Sequence, residues 1–292
     1  MPASAETLQV RHDLLEWYDR NHRDFPWRRT RDPYAVLVSE VMLQQTQASR
    51  VIDRFVRFMD RFPAADALAA APTAAVLAEW SGLGYNRRAL ALQRAAAIVA
   101  RNGWPRDVAG LQRLPGVGPY TARAVASLAF GVPVGVVDTN VRRWLLRRLG
   151  GADAPAALQA RADALAAPGT GPSIAAWTHA SMEFGAAICR SRNPRCDACP
   201  VAEGCPSRGA AVAVPVPRQP ALQGSDRAVR GAMLRHLADA AGHALSEAAA
   251  RERVGAGVDG ERWERILAGL ERDGLLHRRR GTVALGAATI GR

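Results

Sequence analysis

Apolar residues recur at helical spacing along almost the whole chain. Alanine and leucine repeat at positions i, i+3 and i+4, and no sustained period-two stretch occurs before the C-terminal region. A cap and first-turn proline at Asp32-Pro33 predict a helix through about Gln47, and a second helix is predicted over Val51–Phe62. The pattern predicts an all-α body of short helices. Breaks between them are expected at Pro63, Pro72, Gly82 and Gly103.

The pattern changes towards the C-terminus. The segment Pro206–Gly224 is rich in proline and small residues and predicts a linker, placed at residues 209–224, ahead of a domain at 225–292. Three helices and a small β-hairpin are predicted in that domain, over Ser225–Ala240, Leu245–Val254, Gly260–Asp273 and, for the hairpin, Arg278–Leu285. This order of elements is typical of a winged helix, although a small packing module without a ligand would give the same pattern.

Composition narrows the class of partner. The chain has 292 residues, 48% of them hydrophobic, which allows two or three domains. Without an apolar run of membrane-spanning length or a secretory leader pattern, we expect a cytoplasmic protein. The net charge of +12 favours a polyanion such as nucleic acid as the partner. All 39 basic residues are arginine, so no lysine amine is available to attack a sugar.

The four cysteines of the chain lie within one short segment. Cys189, Cys196, Cys199 and Cys205 have the spacing C-x6-C-x2-C-x5-C. Four thiolates satisfy one [4Fe–4S] cluster without a leftover ligand, so the spacing predicts that cofactor. Zinc is the alternative, but structural zinc sites normally pair two short knuckles, and this segment has one C-x2-C and no histidine. A disulfide pair would need an oxidising compartment.

A glycine-containing turn precedes one of the predicted helices. Within Leu114–Thr121, Gly116 and Gly118 form a tight turn, and Pro119 is suited to start the following helix. Such a hairpin exposes backbone N–H groups to a phosphate at the helix N-terminus. An ordinary connection between two helices explains the same residues.

Asp138 follows the apolar run Val132–Val137 and precedes a predicted helix. In that helix Val141, Leu145 and Leu149 are expected to face inward, while Arg142, Arg143, Arg147 and Arg148 are expected largely on the other faces. Most aspartates in this position are N-caps. A capping carboxylate is expected to stay ionised, which also suits the stabilisation of a nearby cation.

Glu40 is expected on the apolar face of the first predicted helix, with Val36 and Leu37. Burial raises the pKa of a carboxyl group and makes it a plausible general acid near neutral pH. The alternative is a glutamate paired with an arginine. A protonatable Glu40 and an ionised Asp138 together favour cleavage of an N-glycosidic bond, because one protonates the leaving group and the other stabilises an oxocarbenium-like sugar.

Several strings resemble the helix-hairpin-helix glycosylases of base excision repair, and specifically the adenine DNA glycosylase (MutY) family. They occur in the family's order over roughly residues 8 to 206, and are Ser39–Gln47 (SEVMLQQTQ), Gly82–Tyr85 (GLGY), Leu114–Thr121, Val137–Val141 (VDTNV) and the four-cysteine pattern. The resemblance implies a six-helix barrel domain at 30–137 that carries the hairpin. It also implies an iron–sulfur domain formed by 1–29 and 138–208.

The resemblance also implies roles for single residues. Glu40 matches the acid that protonates adenine N7, and Asp138 matches the aspartate that stabilises or covalently traps the sugar cation. Tyr120 stands where bifunctional relatives such as endonuclease III carry lysine, which implies a monofunctional enzyme. By the same resemblance, Asn140 would position Asp138, and Arg28 would lie near the adenine pocket. Gln45 and Thr46 would contact the opposite base, and Leu83 and Tyr85 would enter the base stack. The cluster would hold the loop of Arg190, Arg192 and Arg195 near DNA phosphates.

The chain departs from the family in three places. Thr139 replaces a glycine common in the family, Asn86 follows Tyr85 where an aromatic residue is frequent, and residues 225–292 do not resemble the NUDIX-like domain that reads 8-oxoguanine. We therefore expect excision of adenine opposite guanine, with a weakened preference for 8-oxoguanine. The rival functions are a glycosylase that removes thymine or uracil opposite guanine, and a non-catalytic iron–sulfur DNA-binding regulator.

The expected partner is double-stranded DNA that contains a mismatch. We expect a nucleoid-associated monomer that contacts no membrane, and the C-terminal domain is a candidate surface for a second repair protein.

Overall fold

The computed structural model describes residues 4–148, 154–167, 172–209 and 222–287. The described chain separates into two compact units. The first contains the residues up to Glu40 and those from Trp104 to 209, and the second contains Val41–Gly103 and the residues from 222 onward. Most of the predicted linker, residues 210–221, lies outside the described residues.

Helices dominate both units, which confirms the all-α prediction for the body. In chain order they are α1 Ala5–Asn21, α2 Pro33–Leu43, α3 Ala48–Arg61, α4 Ala65–Ala70, α5 Thr73–Glu79, α6 Arg87–Asn102, α7 Val108–Gln112, α8 Pro119–Phe130, α9 Thr139–Arg148, α10 Pro155–Ala166, α11 Pro172–Ala187, α12 Asp226–Asp239, α13 Glu247–Val254 and α14 Gly260–Arg272. The strands are β1 Ala244–Ser246, β2 Leu276–Arg279 and β3 Thr282–Leu285.

The core of the first unit forms where α11 packs against α1, α8 and α9. Phe184 of α11 lies between two tryptophans, with ring centroids 6.0 Å from Trp17 and 5.7 Å from Trp144, both edge to face. Edge-to-face packing of buried rings stabilises a core beyond the area that it buries. This core fixes the N-terminal end of α9, where Asp138 lies.

Helix α2 begins as predicted and ends earlier than predicted. Asp32 caps its first turn, because its carboxylate accepts the main-chain N–H groups of Tyr34 and Ala35 at 3.3 and 3.1 Å. The helix ends at Leu43 rather than near Gln47, since Gln45 adopts a left-handed conformation with φ of 56°. Pattern alone did not reveal this break because glutamine is an ordinary helix former.

In the second unit α6 packs against α4 and α5, and α3 contacts α5. Phe58 and Trp80 are fully buried there, with ring centroids 5.9 Å apart. The expected breaks at the two prolines and two glycines all separate helices in the structure. These short helices pack around one apolar core.

The C-terminal residues 222–287 form three helices and a three-stranded antiparallel sheet of order β1-β3-β2. Helix α12 and strand β3 contact α5 within the second unit. The predicted hairpin is present, but β1 was not predicted. Residues 244–246 were expected to be partly helical. Ser246 instead caps α13 by accepting the N–H of Ala249, and Leu245 pairs with Val283. The proposed domain boundaries remain predictions.

Candidate active site

Glu40 lies in the third turn of α2 and is only 5% exposed, with Val36 and Leu37 buried on the same helix face. Burial raises the pKa of Glu40 from its ordinary value near 4.5 to about 7. A hydrogen bond from Tyr120 opposes the shift, and the charge of Asp138 adds to it. A carboxyl group with this pKa is partly protonated near neutral pH, as a general acid must be.

Tyr120 lies in the first turn of α8, directly after the Pro119 that starts the helix. Its hydroxyl donates a hydrogen bond to the Glu40 carboxylate. Burial and the two neighbouring carboxylates hold the pKa of Tyr120 well above its ordinary value of 10. The phenol therefore remains a neutral hydrogen-bond donor, and its position fixes the orientation of the Glu40 side chain.

Asp138 caps α9, as its position in the sequence predicted. One carboxylate oxygen accepts the N–H of Val141 at 2.6 Å, and the other accepts the side-chain amide of Asn140 at 2.8 Å. Burial nevertheless raises the pKa of Asp138 above its ordinary value, although these bonds and Arg143 act in the opposite direction. Desolvation thus outweighs the hydrogen bonds in the direction of the shift, and the expectation that Asp138 stays ionised remains a prediction.

Two of the α9 arginines face inward, which corrects the prediction that they lie on outer faces. Arg143 is 6% exposed and Arg147 is 4% exposed. Arg147 donates to the main-chain oxygen of Arg190 at 2.7 Å and to the sulfur of Cys189 at 3.4 Å. Helical periodicity predicted that these arginines lie at the surface. It takes no account of main-chain carbonyl groups in a distant loop, which can accept hydrogen bonds from a buried guanidinium.

Arg143 connects the catalytic candidates to the cysteine segment. Its guanidinium donates to the side-chain oxygen of Asn140 at 2.9 Å and to the main-chain oxygen of Cys189 at 2.7 Å. A third bond, of 2.5 Å, reaches the main-chain oxygen of Gly185. A continuous set of hydrogen bonds therefore runs from Asp138 through Asn140 and Arg143 to the first cysteine.

Arg28 lies in a short 3-10 turn, Pro26–Arg28, and donates to Glu183 at 2.7 Å. Arg23 donates to the same carboxylate at 2.6 Å, and these two partners hold the pKa of Glu183 below its ordinary value although burial acts to raise it. Arg28 also has a buried Nε–H group with no partner in the described part of the chain. Sequence reasoning missed Glu183, the single acidic residue of helix α11.

The four cysteines line one cavity of about 470 Å³, measured with its opening to solvent. Trp144 and Arg148 also line it, and each has a buried N–H donor without a partner among the described residues. An anionic group in the cavity would supply acceptors for such donors. In the described ranges no three His, Cys, Asp or Glu side chains are close enough to hold a single metal ion.

The predicted hairpin joins α7 to α8. Leu114 and Val117 are buried and anchor it, while Gly116 and Gly118 are exposed. Gly116 has φ of 77°, a conformation that favours glycine, and Gly118 is the N-cap of α8 without a side chain to bond the free N–H groups. No side chain therefore caps the N-terminus of α8, a position at which main-chain N–H groups can bind a phosphate.

The residues expected to recognise bases belong to the second unit. Gln45 is exposed and Thr46 is partly buried in the turn after α2. Tyr85 is 42% exposed and has φ of 48°, whereas Leu83 is only 5% exposed. Tyr85 is thus accessible to a ligand, while Leu83 packs within its own unit.

Comparison with known proteins identifies the family. Residues 38–167 match the model of the HhH-GPD superfamily base excision DNA repair protein. The chain is 44% identical over 232 residues to the adenine DNA glycosylase of Mycobacterium tuberculosis (strain ATCC 25618 / H37Rv), with 76% of each protein covered. The chain belongs to the adenine DNA glycosylase family.

A second adenine DNA glycosylase agrees with this assignment, and solved structures of other DNA glycosylases support the fold. The Mycolicibacterium smegmatis adenine DNA glycosylase is 45% identical over 237 residues, which cover 78% of this chain and 80% of the relative. A solved thermostable thymine-DNA glycosylase has a TM-score of 0.64 and 30% identity, over 70% of this chain and 97% of that one. A non-covalent endonuclease III–DNA complex has a TM-score of 0.56 and 26% identity, over 70% and 96%. The expected helix-hairpin-helix glycosylase fold is confirmed.

The matched family segment contains Glu40, Tyr120 and Asp138, but neither the cysteines nor the C-terminal residues 222–287. No helix in the described ranges combines the length and apolar character needed to cross a membrane.

Proposed function

We propose that this protein is an adenine DNA glycosylase of base excision repair, which hydrolyses the N-glycosidic bond of adenine mispaired with guanine or 8-oxoguanine. The observation that carries the proposal is a pair of carboxyl groups in different environments, Glu40 buried and Asp138 partly buried. Glu40 has a pKa of about 7, while Asp138 accepts hydrogen bonds on both of its oxygens. Two carboxyl groups in different environments can take the two roles that glycoside hydrolysis requires.

In the proposed reaction Glu40 donates its proton to N7 of adenine. The C1′–N9 bond then breaks, and its electron pair leaves with the neutral base. Asp138 stabilises the positive charge that develops on the sugar, and water adds to C1′ with loss of a proton. Tyr120 holds Glu40 in place by the hydrogen bond between them. The products are free adenine and an intact abasic strand.

The proposed enzyme is monofunctional. Strand cleavage by glycosylases with lyase activity proceeds through a Schiff base between an amine and the sugar. The chain contains no lysine, and Tyr120 occupies the position at which the lyase relatives carry one. The abasic product is therefore expected to remain uncleaved until it is treated with alkali.

Contacts with DNA are proposed at three places. Main-chain N–H groups at Gly116 and Gly118 would bind a phosphate, because the helix N-terminus there has free donors. Gln45 and Thr46 would contact the base opposite adenine, and Tyr85, with Leu83 beside it, would fill the space left by the extruded base. The buried Nε–H of Arg28, which has no partner among the described residues, would be a donor for adenine. The C-terminal residues 222–287 would not read 8-oxoguanine as a NUDIX-like domain does.

The proposed cofactor is a [4Fe–4S] cluster held by Cys189, Cys196, Cys199 and Cys205. All four line one cavity, and unpaired N–H donors of two neighbouring side chains suit an anionic cluster. When bound, the cluster would cross-link the four cysteines and so hold the segment from 189 to 205 in one conformation. That segment would then present Arg190, Arg192 and Arg195 to DNA phosphates. We propose a cytoplasmic, nucleoid-associated monomer, with the C-terminal domain available to a second repair protein.

The test is strand cleavage after alkali on duplexes that contain 8-oxoG:A, G:A, G:T or G:U, with untreated samples beside each. We expect alkali-dependent cleavage of the adenine strand alone, and no release by Glu40→Gln, which retains the shape of the side chain. Release of thymine or uracil would instead indicate a mismatch glycosylase that excises pyrimidines, as the name of the similar thymine-DNA glycosylase structure suggests. Binding without release from any duplex would indicate a DNA-binding regulator.

A further inference from the structure

Arg88, in the first turn of α6, bonds to the main chain of two separate turns. One terminal nitrogen donates to the carbonyl oxygens of Val41 and Gln44, both at 2.6 Å. The other donates to the carbonyl oxygen of Gly84 at 3.0 Å and approaches that of Leu83 at 3.4 Å. A single partly buried guanidinium therefore connects the end of α2 to the loop before α6.

Each turn contains a residue other than glycine with a positive φ, a conformation that contacts with the surrounding residues must stabilise. Gln45 has φ of 56° in the first turn, and Tyr85 has φ of 48° in the second. A residue other than glycine in this region costs on the order of 1 kcal/mol, and persists where the surroundings hold it. The carbonyl oxygens of Val41 and Gln44 lie at the end of α2, where helix carbonyls need hydrogen-bond donors from outside the helix, and Arg88 donates to both.

Aromatic contacts complete the arrangement. The Arg88 guanidinium lies 5.4 Å from the ring centroid of Tyr85 and 5.5 Å from that of Trp80. Trp80 is fully buried and donates its indole N–H to the Gly84 carbonyl at 3.2 Å. Burial lowers the pKa of Arg88 to about 10, so the group is still cationic at neutral pH.

We propose that Arg88 is a positioning residue for base recognition, which joins the turn of Gln45 and Thr46 to the turn of Leu83 and Tyr85 so that both turns act on the mispair together. This inference rests on the proposed function for the roles of the four residues. The contacts require arginine rather than positive charge alone. A planar guanidinium presents donors in several directions, whereas a lysine ammonium is a compact charge that cannot span both turns in this way.

The neighbouring Arg87 provides a matched control. It is exposed and forms an ion pair with Asp273 at 3.7 Å. An exposed pair at that distance contributes little to stability. Arg87→Gln removes the same charge from the same helical turn as Arg88→Gln but leaves the two turns connected, and Arg88→Lys keeps the charge while removing the connection.

The first measurement is amide hydrogen exchange by mass spectrometry on the complete holoprotein. Arg88→Gln and Arg88→Lys are expected to accelerate exchange at least about tenfold in segments 43–47 and 82–86, while Arg87→Gln stays within about twofold of the parent protein. Unchanged exchange, or acceleration in one turn alone, would overturn the proposal. This readout requires no catalysis, so it remains decisive even if the parent protein releases no adenine and the proposed function fails.

The second measurement compares single-turnover adenine release from a G:A duplex and from a duplex with adenine opposite a tetrahydrofuran abasic analogue. In the second duplex there is no opposing base to recognise. Both Arg88 variants should lose about 10- to 100-fold in rate on G:A and at least about threefold less opposite the analogue, because Gln45 and Thr46 have no base to contact there, whereas Tyr85 fills the space left by adenine in both duplexes. Equal losses on the two duplexes would indicate a general structural role and refute the proposal.

Discussion

Glu40→Gln is expected to reduce base release strongly and to make the folded protein more stable. The carboxyl group titrates near 4.5 when solvated and at about 7 in the folded protein. The native state therefore binds this proton more tightly than the unfolded state does. The contribution of Glu40 to the free energy of unfolding is greatest at low pH and is lost as the pH rises from about 4.5 to 7.

The size of the effect follows from the pKa difference. A difference of about 2.5 pKa units corresponds to ~3 kcal/mol at pH 8, and to less than ~1 kcal/mol at pH 5. Glutamine is neutral at both values and can still accept the hydrogen bond from Tyr120. Glu40→Gln should therefore raise the melting temperature by about 6 to 12 °C at pH 8 and by much less at pH 5. Loss of a general acid should reduce base release on the order of 10³-fold.

The assay is thermal unfolding of the holoprotein at the two pH values, beside single-turnover release of adenine. Glu183→Gln is the matched control, because Glu183 is also buried but has its pKa lowered by Arg23 and Arg28. That substitution should destabilise the protein at pH 8, since it leaves two arginines without their carboxylate. If Glu40→Gln were no more stable than the parent at pH 8, the carboxyl group would not be desolvated as described, and the argument for its role as an acid would fail.

Three further substitutions test other parts of the site. Tyr120→Phe removes the bond that lowers the pKa of Glu40, so the pH at which adenine release declines should rise by up to about one unit; an unchanged pH profile would contradict the contact. Arg143→Gln should reduce both visible absorbance per protein and adenine release by about tenfold or more, while the exposed Arg142→Gln changes neither by more than about twofold. Gly185→Ala would place a methyl group 2.7 Å from a main-chain oxygen of α9. It should cost ~1–3 kcal/mol in urea unfolding, and a neutral result would show that the two helices separate readily.

Sequence reasoning located most of the helices and the candidate catalytic residues. Helical apolar spacing and turn residues predicted α2, α3, α12 and α14 with errors confined mainly to their ends. Glu40 was recognisable because an acidic residue within an apolar helix face is rare and informative. The sequence alone shows that every basic residue is arginine and that the four cysteines lie in one short segment.

Other features depended on contacts between residues far apart in the chain. The turn that ends α2 accepts a hydrogen bond from Arg88, 44 positions after Gln44 in the chain. Strand β1 exists because β3 pairs with it across about 40 residues of sequence. The inward position of Arg143 is determined by the carbonyl of Cys189, 46 residues away. Local spacing contains no information about such partners.

The sequence by itself determined the helical class, the absence of a lysine nucleophile and the residue types available for acid and cation-stabilising chemistry. Only the tertiary structure decided the direction in which their pKa values shift. Burial together with Tyr120 and Asp138 sets the pKa of Glu40 near 7, and burial outweighs capping at Asp138. The physical reason is that periodicity reports which face of a helix is apolar, whereas a pKa depends on every charge, dipole and water molecule that folding brings near the group or removes from it.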